Sequence, residues 1–367
     1  MKKVNYLNRM TWSVIAIIAI SITSCSSDDE GNIAIPEPGE SGFFVVNEGA
    51  FLGGNASISY FDKTTKIMAN NVFLSKTGNP LGDQAQSMIV VDTLGFIVVQ
   101  NSNKVEVINV RDFSSVATIT EGLSSPRYML AINAEKAYIS DWGADGVSGT
   151  VKVVDLVTKN ITKSIDTGQG ANEMVAIGNQ LYVTNNGGWG ADNTVQVIDT
   201  STDAIIKTIE VGDNPSSIVA DDNGDIWVSG SGKTVYNADW SVDEANSTAG
   251  FISKIVGDEV AVSFTMPDKF IGPTGLEINS TGANLYFGYD GGVYTLETEG
   301  VGAGSSIDIQ QLIDKSFYGI DLDPSSDNIL GFEAPNFTSA GTMYRYDGAG
   351  SLIDSYEVGI GPNSAGL

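Results

Sequence analysis

The sequence of 367 residues contains no histidine and a single cysteine, Cys25. Serine–histidine–acid triads, histidine-based proton transfer and histidine metal sites are excluded, because each needs an imidazole. An intramolecular disulfide is excluded for want of a second thiol. The groups left to do chemistry are carboxylates, amides and aromatic rings. Two acidic runs, Asp222-Asn223-Gly224-Asp225 and Asp321-Leu322-Asp323-Pro324, look superficially like calcium loops, but both fall between strand-like runs, where Asp, Asn and Gly make turns. The aromatic signal is more regular. Phe51, Trp142, Trp189, Tyr236 with Trp240, Tyr289 and Phe337 each follow an apolar alternating run. A second set, Arg127, Tyr128, Phe317 and Tyr318, accompanies the amides Gln84, Asn172, Asn214 and Asn363 in turns that lead into such runs. Flat apolar faces interleaved with neutral hydrogen-bonding groups suit a flat, largely neutral ligand.

These residues need elements to hold them. Residues 168–211 read as four short strands, near 173–177, 180–184, 194–199 and 204–210, because β-branched and aromatic residues alternate with polar ones between Gly/Asn breaks. The opening motif, a Gly/Pro/Asn turn leading to an apolar anchor, recurs at Met88, Met129, Met174, Ile218, Leu276, Ile320 and Leu367, with a period of about 44 residues stretched once. A four-stranded unit at that period predicts an all-β chain, a seven-bladed β-propeller of four-stranded antiparallel blades. The 42 glycines and the 17% of charged residues agree with many tight turns and strands buried on both faces.

The ends complete one another. The first blade starts in its second strand at 42–47, and the last residues form an opening motif with no blade after it, so the C-terminal strand is expected to close the ring. Blades two to seven are expected at 83–124, 126–168, 170–212, 214–270, 273–315 and 317–360, the whole propeller filling 42–367. In a propeller the blade-joining loops and the loops between second and third strands emerge on one face. Both aromatic sets fall on that face, the usual place for a ligand. The amide Asn185, with Glu48, Asp141 and Glu333, is placed near the axis, where an oxygen cage for calcium could form. Residues 231–250 in blade five insert about twenty residues, carrying Tyr236 and Trp240, and read as either a lid over the face or a disordered excursion.

The N-terminus reads as a leader. Lys2, Lys3 and Arg9 precede the apolar run 12–20, too short to span a bilayer comfortably. Ile22-Thr23-Ser24-Cys25 resembles a bacterial lipobox, which implies cleavage before Cys25 and lipidation there, so that residues 1–24 are a lipoprotein signal peptide and 25–41 a flexible tether. The acidic run Ser26-Ser27-Asp28-Asp29-Glu30 resembles a signal that sends lipoproteins of Bacteroidota to the cell exterior. The formal charge is −26, and near −29 without the leader's three cations. Such a surface repels phosphate backbones and anionic headgroups, which argues against nucleic acid and leaves the lipid anchor as the only expected membrane contact.

Leu181-Tyr182-Val183-Thr184-Asn185 carries the tetrapeptide of the YVTN-type propellers, and the flanking strands resemble that family's repeat. The runs Phe43-Phe44-Val45-Val46-Asn47-Glu48-Gly49, Pro80-Leu81-Gly82-Asp83-Gln84-Ala85-Gln86-Ser87-Met88 and Leu123-Ser124-Ser125-Pro126-Arg127-Tyr128-Met129 resemble surface lipoproteins of Bacteroidota, including those of the cobalamin-binding BtuG kind. That resemblance implies a non-enzymatic surface protein with no catalytic cofactor. It would capture cobalamin or a related corrinoid as cargo and pass it to a TonB-dependent outer-membrane transporter. A glycan-binding propeller, a protein-interaction propeller and a calcium-dependent lactonase are the alternatives.

Overall fold

Blade four shows how strand alternation becomes a ring. In its second strand, Gln180–Asn185, Leu181 and Val183 point one way and pack with Tyr138 and Val151 of blade three. Tyr182 points the other way and packs with Ile226 and Val228 of blade five. The two-residue period of a strand therefore feeds two separate cores, each shared with a neighbour. The computed structural model describes residues 42–367, and among these it forms seven four-stranded antiparallel sheets arranged as a seven-bladed propeller. Seven buried clusters fill the seven gaps between blades. Each fully buried Leu, Val or Phe contributes about 1.5–3 kcal/mol, which makes these seams the main source of stability. The leader, Cys25 and the tether lie outside the described residues.

The ring closes as the termini predict. Pro362–Gly366 pairs antiparallel with Gly42–Asn47 and becomes the inner strand of the first blade. Backbone hydrogen bonds from Glu48 N to Gly361 O and from Gly49 N to Ile360 O, both 2.8 Å, fix its approach. The aligned anchor of this strand is Ala365. This corrects the expectation of Leu367, which lies past the strand and is 42% exposed. Blade seven comes so close here that a Cβ on Gly319 would sit 1.9 Å from the carbonyl oxygen of Asn363, so only glycine fits.

Three local features were not expected. A short helix, Val72–Thr77, follows the fourth strand of blade one and buries Val72 and Phe73 in the seam with blade two. The 231–250 insert is a folded hairpin-like excursion rather than a disordered one. Bridges Lys233↔Thr248 and Tyr236↔Val242 hold it, and Thr248 Oγ1 donates to Asp213 at 2.7 Å on the adjoining loop. The third feature recurs in blades two to six: the pairing of the inner strand shifts register near its start. A bulge frees one or two residues from the ladder and re-aims their side chains.

Candidate functional site

The bulges decide what lines the axis. The inner strands Ala85–Val91, Pro126–Ala131, Ala171–Ile177, Pro215–Ala220, Thr274–Ile278, Gly319–Asp323 and Pro362–Gly366 surround a cavity of ≈ 530 Å³. In every blade the two residues before the anchor face it, for example Arg127 and Tyr128 before Met129, Asn172 and Glu173 before Met174, and Asn363 and Ser364 before Ala365. Two blades add a carboxyl just after the anchor, Glu277 and Asp321. Glu48 reaches in from the first blade.

Neighbouring blades are stitched together around this wall. Asn363 Nδ2 donates to Glu48 Oε1 at 2.9 Å and to Gln86 O at 3.0 Å. Ser87 Oγ donates to Arg127 O at 2.9 Å, and Asn172 Nδ2 to Ser216 O at 2.8 Å. Glu173 accepts from Ser217 Oγ at 3.2 Å and from Ile218 N at 3.3 Å. Ala365 N donates to Asp321 Oδ2 at 2.6 Å, so the closure strand helps to build the site. Glu48 also accepts from the Tyr318 hydroxyl at 3.1 Å.

The carboxyls are electrostatically crowded. Burial pushes Glu173 up to about 8, with the Asp321 charge adding to the effect and Arg127 opposing it. Burial likewise lifts Asp321 to about 7 and Glu277 well above the usual carboxylate range; Asp321 and Glu173 press further on Glu277, which is hydrogen-bonded to Asp321. Glu48 is raised by burial in spite of its bonds to Asn363 and Tyr318. Desolvation favours the uncharged form of an acid, and these groups are pushed toward it together. Arg127 is the one basic side chain lining the cavity among the described residues. Its guanidinium lies 4.1 Å from the Trp142 ring, and its Nη1 donates to Gln100 Oε1.

The expected site residues divide into three groups. Gln84, Arg127, Tyr128, Asn172 and Tyr318 line the axial cavity. Phe51, Trp189, Tyr236, Trp240 and Phe337 stand exposed on the loops, Trp189 and Trp240 at 80% and 84%. Trp142 joins wall to rim through Arg127, and Tyr318 does the same, since its ring meets Phe337 edge-on at 4.8 Å. Trp240 and Phe337 adopt positive φ, 67° and 54°, which is strained for a bulky side chain. The third group does not join the others. Tyr289 ends a strand and packs in the seam between blades five and six, where its hydroxyl accepts from Asp268 N. Phe317 packs against Tyr344 and Tyr346. Asn185 is fully buried and bonds Thr194 in its own blade, and Asn214 holds Gly232 O.

The proposed oxygen cage does not assemble either. Of its members only Glu48 lines the cavity. Asp141 caps the backbone of Ser124, Ser125 and Gly143, and Glu333 pairs with Lys315 at 2.7 Å. No group of three or more acidic or thiol side chains among the described residues is placed to hold a metal ion. The Asp222–Asp225 run is a turn organised by Asp221, whereas Asp321 belongs to the inner strand and not to the turn expected there.

Sequence reasoning missed Glu173, Glu277 and Asp321. A signal for two of them existed: the position after the anchor holds Ile89, Leu130, Val175 and Val219 in blades two to five, and acids in blades six and seven. A charge that breaks an apolar repeat position marks a place where packing has been given up for something else.

No curated protein matches this sequence. Among solved structures, hydrazine synthase of Kuenenia stuttgartiensis superposes with a TM-score of 0.62 at 17% identity, covering 79% of this chain and 89% of that one. A candidate 6-phosphogluconolactonase from Bacteroides uniformis gives the same TM-score at 11% identity, covering 89% of this chain and 99% of the other. At such identities the likeness is one of fold. The family model described as a domain of unknown function (DUF5074) matches residues 41–358, so the chain belongs to that family.

Proposed function

We propose that this chain is a ligand-capturing propeller rather than an enzyme. Its loop face binds a large, flat, near-neutral molecule, cobalamin or another corrinoid, and passes it to a TonB-dependent outer-membrane transporter. In this reading a lipid on Cys25 holds the chain to the outer membrane, facing the exterior, and cobalamin is cargo and not a catalytic cofactor. The observation that carries the reading is the set of exposed aromatics, Trp189, Trp240, Tyr236 and Phe51, on loops of one face. Exposed large rings on the loops of one face mark recognition surfaces, and ring faces suit a flat macrocycle. The cavity, at ≈ 530 Å³, lies within the range of compact ligand pockets. The macrocycle would rest on the rim with an amide arm directed to the axis, near Gln84.

Two features argue against a phosphorylated sugar as substrate. Four carboxyl groups face one arginine in the cavity, a poor environment for a phosphate. No histidine is present to move a proton. The absence of histidine also means that cobalt would keep the axial ligands it arrived with. A glycan is the second reading, favoured by the same aromatic platforms beside neutral amides.

Equilibrium dialysis of residues 25–367 against cyanocobalamin tests the proposal, with a soluble oligosaccharide as the competing ligand. Saturable corrinoid binding with only small shifts in the absorption spectrum is expected. Failure to bind, or loss of the lower base from cobalt, overturns it.

A further inference from the structure

The axial wall holds its one cation without a counter-ion. Lys63, Lys136, Lys254, Lys315 and Arg345 each lie over an aromatic ring, and each is also ion-paired with an aspartate or glutamate. Arg127 has the ring, with its guanidinium 4.1 Å from the centre of Trp142. Among the described residues, however, no carboxylate pairs with it, although Glu48, Glu173, Glu277 and Asp321 line the same cavity.

The clamp on this guanidinium is neutral at every point. Its Nη1 donates to Gln100 Oε1, and Gln100 is fixed in turn: its Nε2 donates to Ser125 Oγ at 3.1 Å and its backbone N to Gln84 O at 2.8 Å. The main chain is pinned as well, since Arg127 O accepts from Ser87 Oγ and Tyr128 N donates to Ser140 Oγ at 3.1 Å. A neutral acceptor orients a guanidinium and leaves its charge available, whereas a carboxylate would orient it and cancel it.

Bracing of blade two against blade three accounts for Nη1 and the ring face only. Nε is buried and turned to the protein, whereas Nη2 bonds no protein atom and is not buried, so it is the end that Arg127 offers to the cavity it lines. Beside it the Tyr128 hydroxyl accepts from Gln86 Nε2 at 3.3 Å and donates to no protein atom, and the Gln84 amide also lines the cavity. One guanidinium matches one negative charge, and the second charge of a dianion would meet four carboxyls unmatched. A carboxylate has two planar acceptor oxygens and pairs well with arginine. We infer that the axial cavity contains a subsite for an organic monoanion, a carboxylate in particular, anchored on Nη2 of Arg127 with Tyr128 and Gln84 as neutral donors. The subsite rests on the wall alone and does not depend on the corrinoid reading of the rim.

Its pH dependence follows from the groups around it. The titratable neighbours are the four carboxyls and the phenols of Tyr128 and Tyr318. Burial holds the carboxyls toward their neutral form, Glu173 up to about 8 and Asp321 to about 7, and raises both phenols so that they keep their protons. As pH rises from 6 to 9 the acids ionise and add negative charge to the wall. That charge opposes an anion, so affinity falls over this range.

Calorimetric titration of residues 25–367 with sodium benzoate tests this. Saturable binding is expected at pH 6, weakened about tenfold at pH 9 and in the Arg127→Gln variant, a change of about 1.4 kcal/mol. If Arg127→Gln does not fold, Arg127→Lys takes its place. Lysine keeps the charge but not the planar fork that Gln100 and the Trp142 ring hold, so affinity should drop in the same direction. Benzamide, the uncharged isostere, and sulfate, a dianion, should neither bind nor compete. Absence of benzoate binding, equal binding of benzamide, displacement by equimolar sulfate, wild-type affinity in a folded variant, or affinity that rises with pH would each overturn the assignment.

Discussion

The axial wall and the loop rim lie at the same end of the repeats and are built by opposite means. The wall is made of strand residues. Each blade contributes the same two positions before its anchor, the backbone there is pinned by neighbours, and variety comes only from side-chain identity. The rim is made of loops that range from the tight Gln100–Ser102 turn to the hairpin of 231–250, and its rings stand in solvent. The difference separates two tasks. Groups whose protonation matters sit half-buried on strands where geometry is fixed, and broad apolar capture is assigned to loops that change length without disturbing the blades.

The strongest way to break the comparison is to remove the strand that the wall and the ring share. Deleting residues 362–367 takes away the pairing with Gly42–Asn47, the bonds from Asn363 and the N–H that Ala365 gives Asp321. Blade one loses its inner strand and exposes an edge. We expect a fall in Tm on the order of 10 °C or more by calorimetry. Wild-type melting in the truncated chain would show that closure contributes little.

The next effect is confined to the wall and depends on pH. The folded pKa of Glu173, about 8, lies above the ordinary 4.5, as does that of Glu277. Folding therefore holds their protons more tightly than the unfolded chain does. The associated stability is fully present below pH 4.5 and is lost as pH rises toward 8. The Glu173→Gln/Glu277→Gln variant cannot lose a proton at these sites. It should unfold like the wild type at pH 4.5 and be more stable at pH 9, by about 1.4 kcal/mol for each unit of pKa displacement it removes. Urea melts at both pH values measure this, and an equal change at both would mean the acids act through packing and not charge.

The same comparison explains what could be read in advance. The ring was legible because a period-two alternation within a repeat of about 44 residues leaves few other folds. Exposed rim aromatics such as Trp189 were legible because a large ring in a Gly-rich turn has little core to enter. Tyr289 misled, since it ends the strand that seemed to precede its loop and turns into the seam with Tyr294. The wall was only half legible. Arg127, Tyr128 and Asn172 were found as loop residues, but the bulges that aim them inward leave no mark in composition. Glu277 and Asp321 show only when the repeats are aligned on their anchors.

A smaller effect joins the two regions. Replacing Trp142 and Trp189 together by alanine should leave the blades folded, because neither ring belongs to a seam cluster. Corrinoid affinity should drop, each stacking loss being about 1 kcal/mol beyond area burial. The two residues are not equivalent. Trp189 covers Gly146 and little else, whereas Trp142 carries the Arg127 guanidinium. The single Trp142→Ala change should therefore also lower Tm slightly, because it removes the ring that holds the Arg127 guanidinium, and Trp189→Ala should not. Identical behaviour of the two single variants in both assays would mean that wall and rim are not linked through Arg127.

The smallest expected effect on stability is at Trp240, and its sign separates a structural ring from a recognition ring. Trp240 is 84% exposed at the tip of the blade-five hairpin, with φ at 67°. A tryptophan in that left-handed conformation carries a backbone cost of order 1 kcal/mol, and at this exposure it gains little from packing. Glycine takes the same φ without strain. Trp240→Gly should therefore leave Tm unchanged or slightly raised, the lost strain offset by the larger entropy of the unfolded glycine. If the ring is kept for capture, the same change should weaken corrinoid binding in dialysis. A binding loss without a stability loss identifies Trp240 as part of the capture surface. A fall in Tm with unchanged binding would instead make the ring a brace for the hairpin, and the capture surface would then have to be sought on the other side of the face, around Phe51 and Phe337.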